Sequence, residues 1–171
     1  DKDSVIRGNG FTVTITGESS KDYVLNVTTS GTRPPMIIPD QPDVKVDNTG
    51  LNATVTTSAS GTRTVEFNTT RDTEDKTYTI KVSGPVGGDS KDDEVKVRVE
   101  EGTVTITTSG TGTYYIGEEI TLSGTCTESE KVYLFMTGPN LWSNGVNLTR
   151  MGNVVDTEAA TFTEVNVEAD D

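Results

Sequence analysis

Four Asn-X-Thr tripeptides stand in this 171-residue chain: Asn26-Val27-Thr28, Asn52-Ala53-Thr54, Asn68-Thr69-Thr70 and Asn147-Leu148-Thr149. The chemistry they permit is attachment of a glycan to the side-chain amide, which belongs on a surface facing away from the cytoplasm. Four such motifs among ten asparagines is a modest excess over chance, so the signal is weak by itself. Asn26 alternates with the apolar Leu25 and Val27 and is expected to point outward and be accessible. Asn52, beside a loop, is the acceptor the sequence favours.

Carboxylates cluster at Asp72, Glu74 and Asp75 and again at Asp89, Asp92 and Asp93. Hard cations such as Ca²⁺ take oxygen ligands of this kind. The spacing matches no EF-hand loop, and Gly87-Gly88 precedes the second cluster instead of sitting inside it. Solvated hairpin turns are therefore the expected role, with no cofactor and Ca²⁺ as the minor alternative. Asp1, Asp3, Asp170 and Asp171 are terminal and expected to be mobile.

Histidine is absent, which removes the commonest general acid–base and the commonest transition-metal ligand. Cys126, the one cysteine, has no histidine to activate it and no partner for an internal disulfide. It sits in TCTESE, expected to be a turn or strand end. No glycine-rich loop opens a helix, so a phosphate cradle is unsupported. Two carboxylates could hydrolyse a glycoside, but only within a deep cleft that small strand-only modules rarely offer. The chain is not expected to be an enzyme.

Lys plus Arg total 14 against 27 Asp plus Glu, a net charge of −13. Nucleic acid and anionic lipid both require basic surface, so neither is an expected partner. The acidity suits a soluble surface held apart by self-repulsion. Hydrophobic content is 31%, enough for a small core only if every second strand residue is buried. No run approaches the ~20 apolar residues of a membrane helix. The chain begins at Asp1 with no signal peptide and is expected to be a processed or excised piece.

The elements that must position these groups are strands. Phe11, Val13 and Ile15 alternate with threonines; so do Tyr78, Ile80 and Val82, then Val95, Val97 and Val99, and later Val132, Leu134 and Met136. Thr- and Val-rich runs separated by Gly, Asp, Asn and Ser predict an all-β fold of antiparallel sandwich type. Gly10, Gly17 and Gly31 are matched by Gly117, Gly124 and Gly138, each 107 residues later. GFTVTITG and GEEITLSG lie in the same frame. This predicts a duplicated module, with residues 1–101 as the first copy and 102–171 as the second. The second copy has 33 residues beyond Gly138 and no counterpart of GTRTVEFNTTRDTEDKTYTIKVSG, two strong strands around an acidic turn. It is therefore expected to be incomplete, finished by further residues or by another chain, and prone to strand exchange at its open edges.

Residues 138–160 form a long apolar loop carrying Leu141, Trp142, Val146, Leu148, Met151, Val154 and Val155. PPMIIPD, residues 34–40, occupies the equivalent place in the first copy. Such a loop either makes a contact surface between modules or caps the end of its own core; the cap carries more weight. Tyr78 has the position of a tyrosine that closes an inter-sheet corner. Tyr114, Tyr115 and Trp142 could stack on a sugar ring, although aromatics near strand starts usually belong to a core.

GTYYIGEEITLSGT (112–125), KVYLFMTGPN (131–140) and GVNLT (145–149), with SVIRGNGFTVTITG (4–17) and GTRTVEFNTTRDTEDKTYTIKV (61–82), resemble archaeal cell-surface proteins, particularly the S-layer-related extracellular proteins of methanogens. The resemblance implies two tandem immunoglobulin-like antiparallel β-sandwich modules in a secreted envelope or sheath protein, the second truncated. It implies a structural role without catalysis, at the cell surface, with other copies of the chain or neighbouring envelope modules as partners. The alternative function is a carbohydrate- or protein-binding adhesion module acting through the 138–160 loop.

Overall fold

A computed structural model describes residues 4–28, 31–89 and 91–168. Asp1, Asp3, Asp170 and Asp171 lie outside the described residues. Among the described residues the chain is all-β apart from one 3-10 turn, Ala159–Thr161, and it falls into two compact units, Asp1–Gly102 and Thr103–Asp171.

The first unit is sandwich-like. Its large sheet runs β1 (Ser4–Ile6), β9 (Lys91–Glu100), β8 (Lys76–Gly84), β3 (Asp22–Val27), β6 (Asn52–Thr56), β5 (Val44–Val46). Its small sheet runs β2 (Gly10–Thr16), β7 (Thr62–Asn68), β4 (Met36–Ile37). Neighbours are antiparallel except β1 and β9, where Val5 pairs with Val99 in parallel. Alternation sets the layers: Leu25, Val55, Ile80, Val97 and Val99 from one sheet and Ile15, Val65 and Phe67 from the other share a single buried cluster. Each such side chain contributes about 1.5–3 kcal/mol by leaving water. Phe11 stacks on Phe67 directly across the β2–β7 ladder, with ring centroids 4.9 Å apart.

Tyr78, fully buried, projects from β8 into this core, and its hydroxyl donates to the Glu74 carbonyl at 3.2 Å. The corner expected from the sequence is thus present in its geometry. The two strands flanking the acidic segment 72–75 do not form a hairpin, however. β7 belongs to the small sheet and β8 to the large one, so this segment crosses between layers. Asp89 does lie in a hairpin turn, because β8 and β9 pair continuously from Gly84–Lys91 to Lys76–Val99.

The second unit is built differently. β10 (Thr107–Thr108) pairs with β11 (Leu122–Ser123), and the ladder extends through hydrogen bonds from Thr105 to Thr125 and from Thr127 to Thr103. A separate pair joins β12 (Lys131–Leu134) to β13 (Thr163–Asn166). The 107-residue offset maps β2 and β3 near β11 and β12, yet it does not carry their pairing with it. β2 pairs forward with β7, whereas β11 pairs back with β10. The glycines differ too. Gly17 is required because a Cβ there would overlap the Tyr23 ring; at Gly124 it would overlap the Thr105 carbonyl. Gly10 opens a strand, while Gly117 turns with φ +93°. Among the described residues of this unit the buried apolar side chains are Val146 and Val154.

Candidate functional sites

The acidic residues singled out as cation ligands are spread over loops and strands, and four of the six take basic partners. Asp72 pairs with Arg33, Asp75 with Arg98, and Asp92 with Lys81 at 2.7 Å. Asp89 and Asp93 are exposed. No three Asp, Glu or Cys side chains converge to hold a metal ion among the described residues.

Glu74 has the most elaborate environment of the set. One carboxylate oxygen accepts the Thr32 backbone N–H at 2.8 Å and the other accepts the Lys76 ammonium at 2.7 Å. The Lys76 contact and then the Thr32 N–H favour the charged form, pulling the Glu74 pKa down to about 2. The Lys76 ammonium also lies 5.4 Å from the Tyr78 ring centroid. Burial raises the Tyr78 pKa above its ordinary value. Glu74 thereby ties the start of the 32–36 loop to the corner that Tyr78 closes.

Asp47, absent from the sequence-level candidates, organises the turn before β6. Its Oδ1 accepts from the Thr49 N–H at 3.0 Å and the Thr49 hydroxyl at 2.7 Å, and its Oδ2 accepts the Asn52 amide at 2.9 Å. These bonds, the Thr49 hydroxyl first, hold the Asp47 pKa down to about 2. Asn52 in turn accepts from the Asn26 amide across the β3–β6 ladder. Asn26 does face away from the core, as expected, but it is not openly accessible: both asparagines are half-buried, the Asn26 amide held by Asn52 and the Asn52 amide by Asp47. Asn68 is exposed at the end of β7.

Asn147 departs furthest from its expected role. It is 2% exposed, and its Oδ1 accepts from the Thr149 N–H and hydroxyl, the Arg150 N–H and the Thr163 hydroxyl, all within 3.0 Å. Its Nδ2 donates to the Thr161 carbonyl at 3.0 Å. In the folded unit this asparagine is a structural hub, closed to a glycan on steric grounds. The signal that could have revealed it is local: Asp47-Asn48-Thr49 and Asn147-Leu148-Thr149 are the same Asx-X-Thr turn, in which the side chain accepts from backbone two residues on.

The 138–160 loop divides its apolar side chains between the interior of its unit and solvent. Val146 and Val154 are buried and make up the small core of the unit, and Leu141 and Leu148 are half-buried. Trp142 and Met151 stay 53% and 64% exposed. Tyr114 is half-buried and donates its hydroxyl to the Ser109 carbonyl, whereas Tyr115 is exposed rather than part of a core. Cys126 is half-buried, opposite Val104 at the end of the first ladder. No helix among the described residues is long and apolar enough to cross a membrane.

No family model and no curated protein matches the chain.

Proposed function

We propose that the chain is a structural part of a secreted archaeal cell-envelope protein, S-layer or sheath-like, built from tandem immunoglobulin-like units and without catalysis. The observation that carries this reading is the use made of its reactive side-chain types. Glu74, Asp47, Asn147 and Tyr78 each fasten a loop or corner by hydrogen bonds, and Asp72, Asp75 and Asp92 meet arginine or lysine. That is the chemistry of a stiff scaffold. The Tyr78 corner and the parallel β1–β9 edge favour an immunoglobulin-like first unit. The net charge of −13 favours an outward-facing, soluble surface.

The reading is tested with an antibody to the folded chain. Labelling of intact source cells and recovery in a detergent-resistant envelope fraction are the expected results. Recovery in the cytosol alone overturns it.

A second reading, an adhesion module, is favoured by the exposure of Trp142 and Met151 on the 138–160 loop. A glycan array probed with the chain and with Trp142→Ala tests it. Binding that the variant retains in full excludes the loop.

A further inference from the structure

The ladder of β10 and β11 sorts its side chains by chemistry. Thr107 pairs with Ser123, and the same face continues with Thr103, Thr105, Thr125 and Thr127. Hydroxyls meet across it, Thr105 and Thr125 at 2.8 Å. The opposite face carries Val104 opposite Cys126, Ile106, Leu122 opposite Thr108 and, continuing the alternation, Ile120. The face is open to solvent, most of all at its β10 edge: Val104 is 66% exposed and Ile106 59%, against 42% for Ile120 and 39% for Leu122.

An isolated two-stranded hairpin is marginal in water, and a third strand or a packed face is what makes it stable. A contiguous apolar sheet face of this kind marks an interaction surface. Its charge setting specifies the occupant. Glu118 and Glu119 stand at the tip of the hairpin and Glu128 and Glu130 just beyond its base. Residues 103–168 hold eight acidic and two basic side chains, and Lys131, one of the two, is engaged by Glu164 at 2.5 Å. A second copy would bring one acidic rim against another. A partner with an apolar strand face and basic flanks gains both burial and charge complementarity.

We propose that the Val104, Ile106, Ile120 and Leu122 face is a docking surface for an apolar β-strand or hairpin of a partner protein flanked by lysine or arginine. It requires neither an envelope location nor a sugar ligand, and it names none of the residues of the 138–160 loop.

The probes are two synthetic β-hairpins with Val and Ile on one face, one ending in lysines and the other in glutamates. Both are titrated calorimetrically into the whole chain. The lysine hairpin is expected to bind, the glutamate hairpin at least about tenfold more weakly. The double variant Ile106→Thr, Leu122→Thr, which keeps strand propensity, is expected to lower lysine-hairpin affinity at least about tenfold. Glu118→Gln with Glu119→Gln, on the exposed rim, weakens it without touching the apolar face, so the proposal does not depend on the threonine variant folding. Failure of the lysine hairpin to bind, equal binding of the two probes, or unchanged binding by both variants overturns the proposal. A chain dimer in sedimentation that the threonine variant abolishes also overturns it, by assigning the face to a second copy.

Discussion

Asn26 and Asn52 sit directly opposite each other on β3 and β6, and the Asn26 amide donates to the Asn52 carbonyl oxygen. Each heads a glycosylation motif, and both attachment nitrogens are engaged, that of Asn26 by the Asn52 oxygen and that of Asn52 by Asp47. A glycan on one breaks the pair and crowds the second. Site-resolved mass spectrometry of the chain from its source is expected to show Asn68 as the most occupied motif. Asn26 and Asn52 should not be occupied in the same molecule, and Asn147 should be unmodified. A doubly modified Asn26/Asn52 species would contradict the geometry.

Tyr78→Phe removes one hydroxyl from a buried ring and leaves the Glu74 carbonyl without that donor. The expected loss is about 1 kcal/mol in the unfolding free energy of the first unit, read from denaturant midpoints. The residue's larger contribution is its ring, so Tyr78→Ala should cost about 3–5 kcal/mol.

Asn147→Ala strips one acceptor from the Thr149 and Arg150 amides and one donor from the Thr161 carbonyl. Orphaned buried groups cost about 1–3 kcal/mol each, and this unit has little apolar core to offset the loss. Amide exchange in residues 147–163 should accelerate to near the unprotected rate. Exchange in β3 and β8 should be unchanged. Asn147→Asp, which keeps the acceptor, should restore protection only in part.

Asp47 and Glu74 are depressed in the folded state from 3.8 and 4.5 to about 2. Their contribution is therefore complete above the ordinary carboxylate range and is lost as pH falls toward about 2. Asp92, lowered by Lys81, acts in the same direction. The melting temperature of the first unit should hold steady down to about pH 5 and drop below it. Asp47→Asn should flatten part of that drop. Because these groups are at the surface, added salt should weaken the Lys76 and Lys81 contributions more than the Asp47 turn.

The layers of the first unit were legible because strand alternation is local. Phe11, Val13 and Ile15 announce which side of β2 is inward, and Tyr78, Ile80 and Val82 do the same for β8. The destination of each strand was not legible. The acidic segment 72–75 looks like a hairpin turn, yet it carries the chain from one sheet to the other, because burying both Phe67 and Tyr78 in one core requires them to approach from opposite layers. The contacts made at the matched glycines were not legible for a related reason. Gly17 and Gly124 are both forced by close neighbours, but by a tyrosine ring in one case and a backbone carbonyl in the other.

Composition, charge and alternation by themselves determined an acidic all-β chain and the inward face of its main strands. These follow from side-chain polarity at a fixed two-residue period, which needs no distant partner. Tertiary structure alone decided that Asn147 is buried, that Asn26 and Asn52 bind each other, that Glu74 pins a loop, and that the β10–β11 hairpin keeps an uncovered apolar face. Each of those depends on residues far apart in sequence meeting within hydrogen-bond or van der Waals range, or failing to meet, and no local pattern encodes that distance.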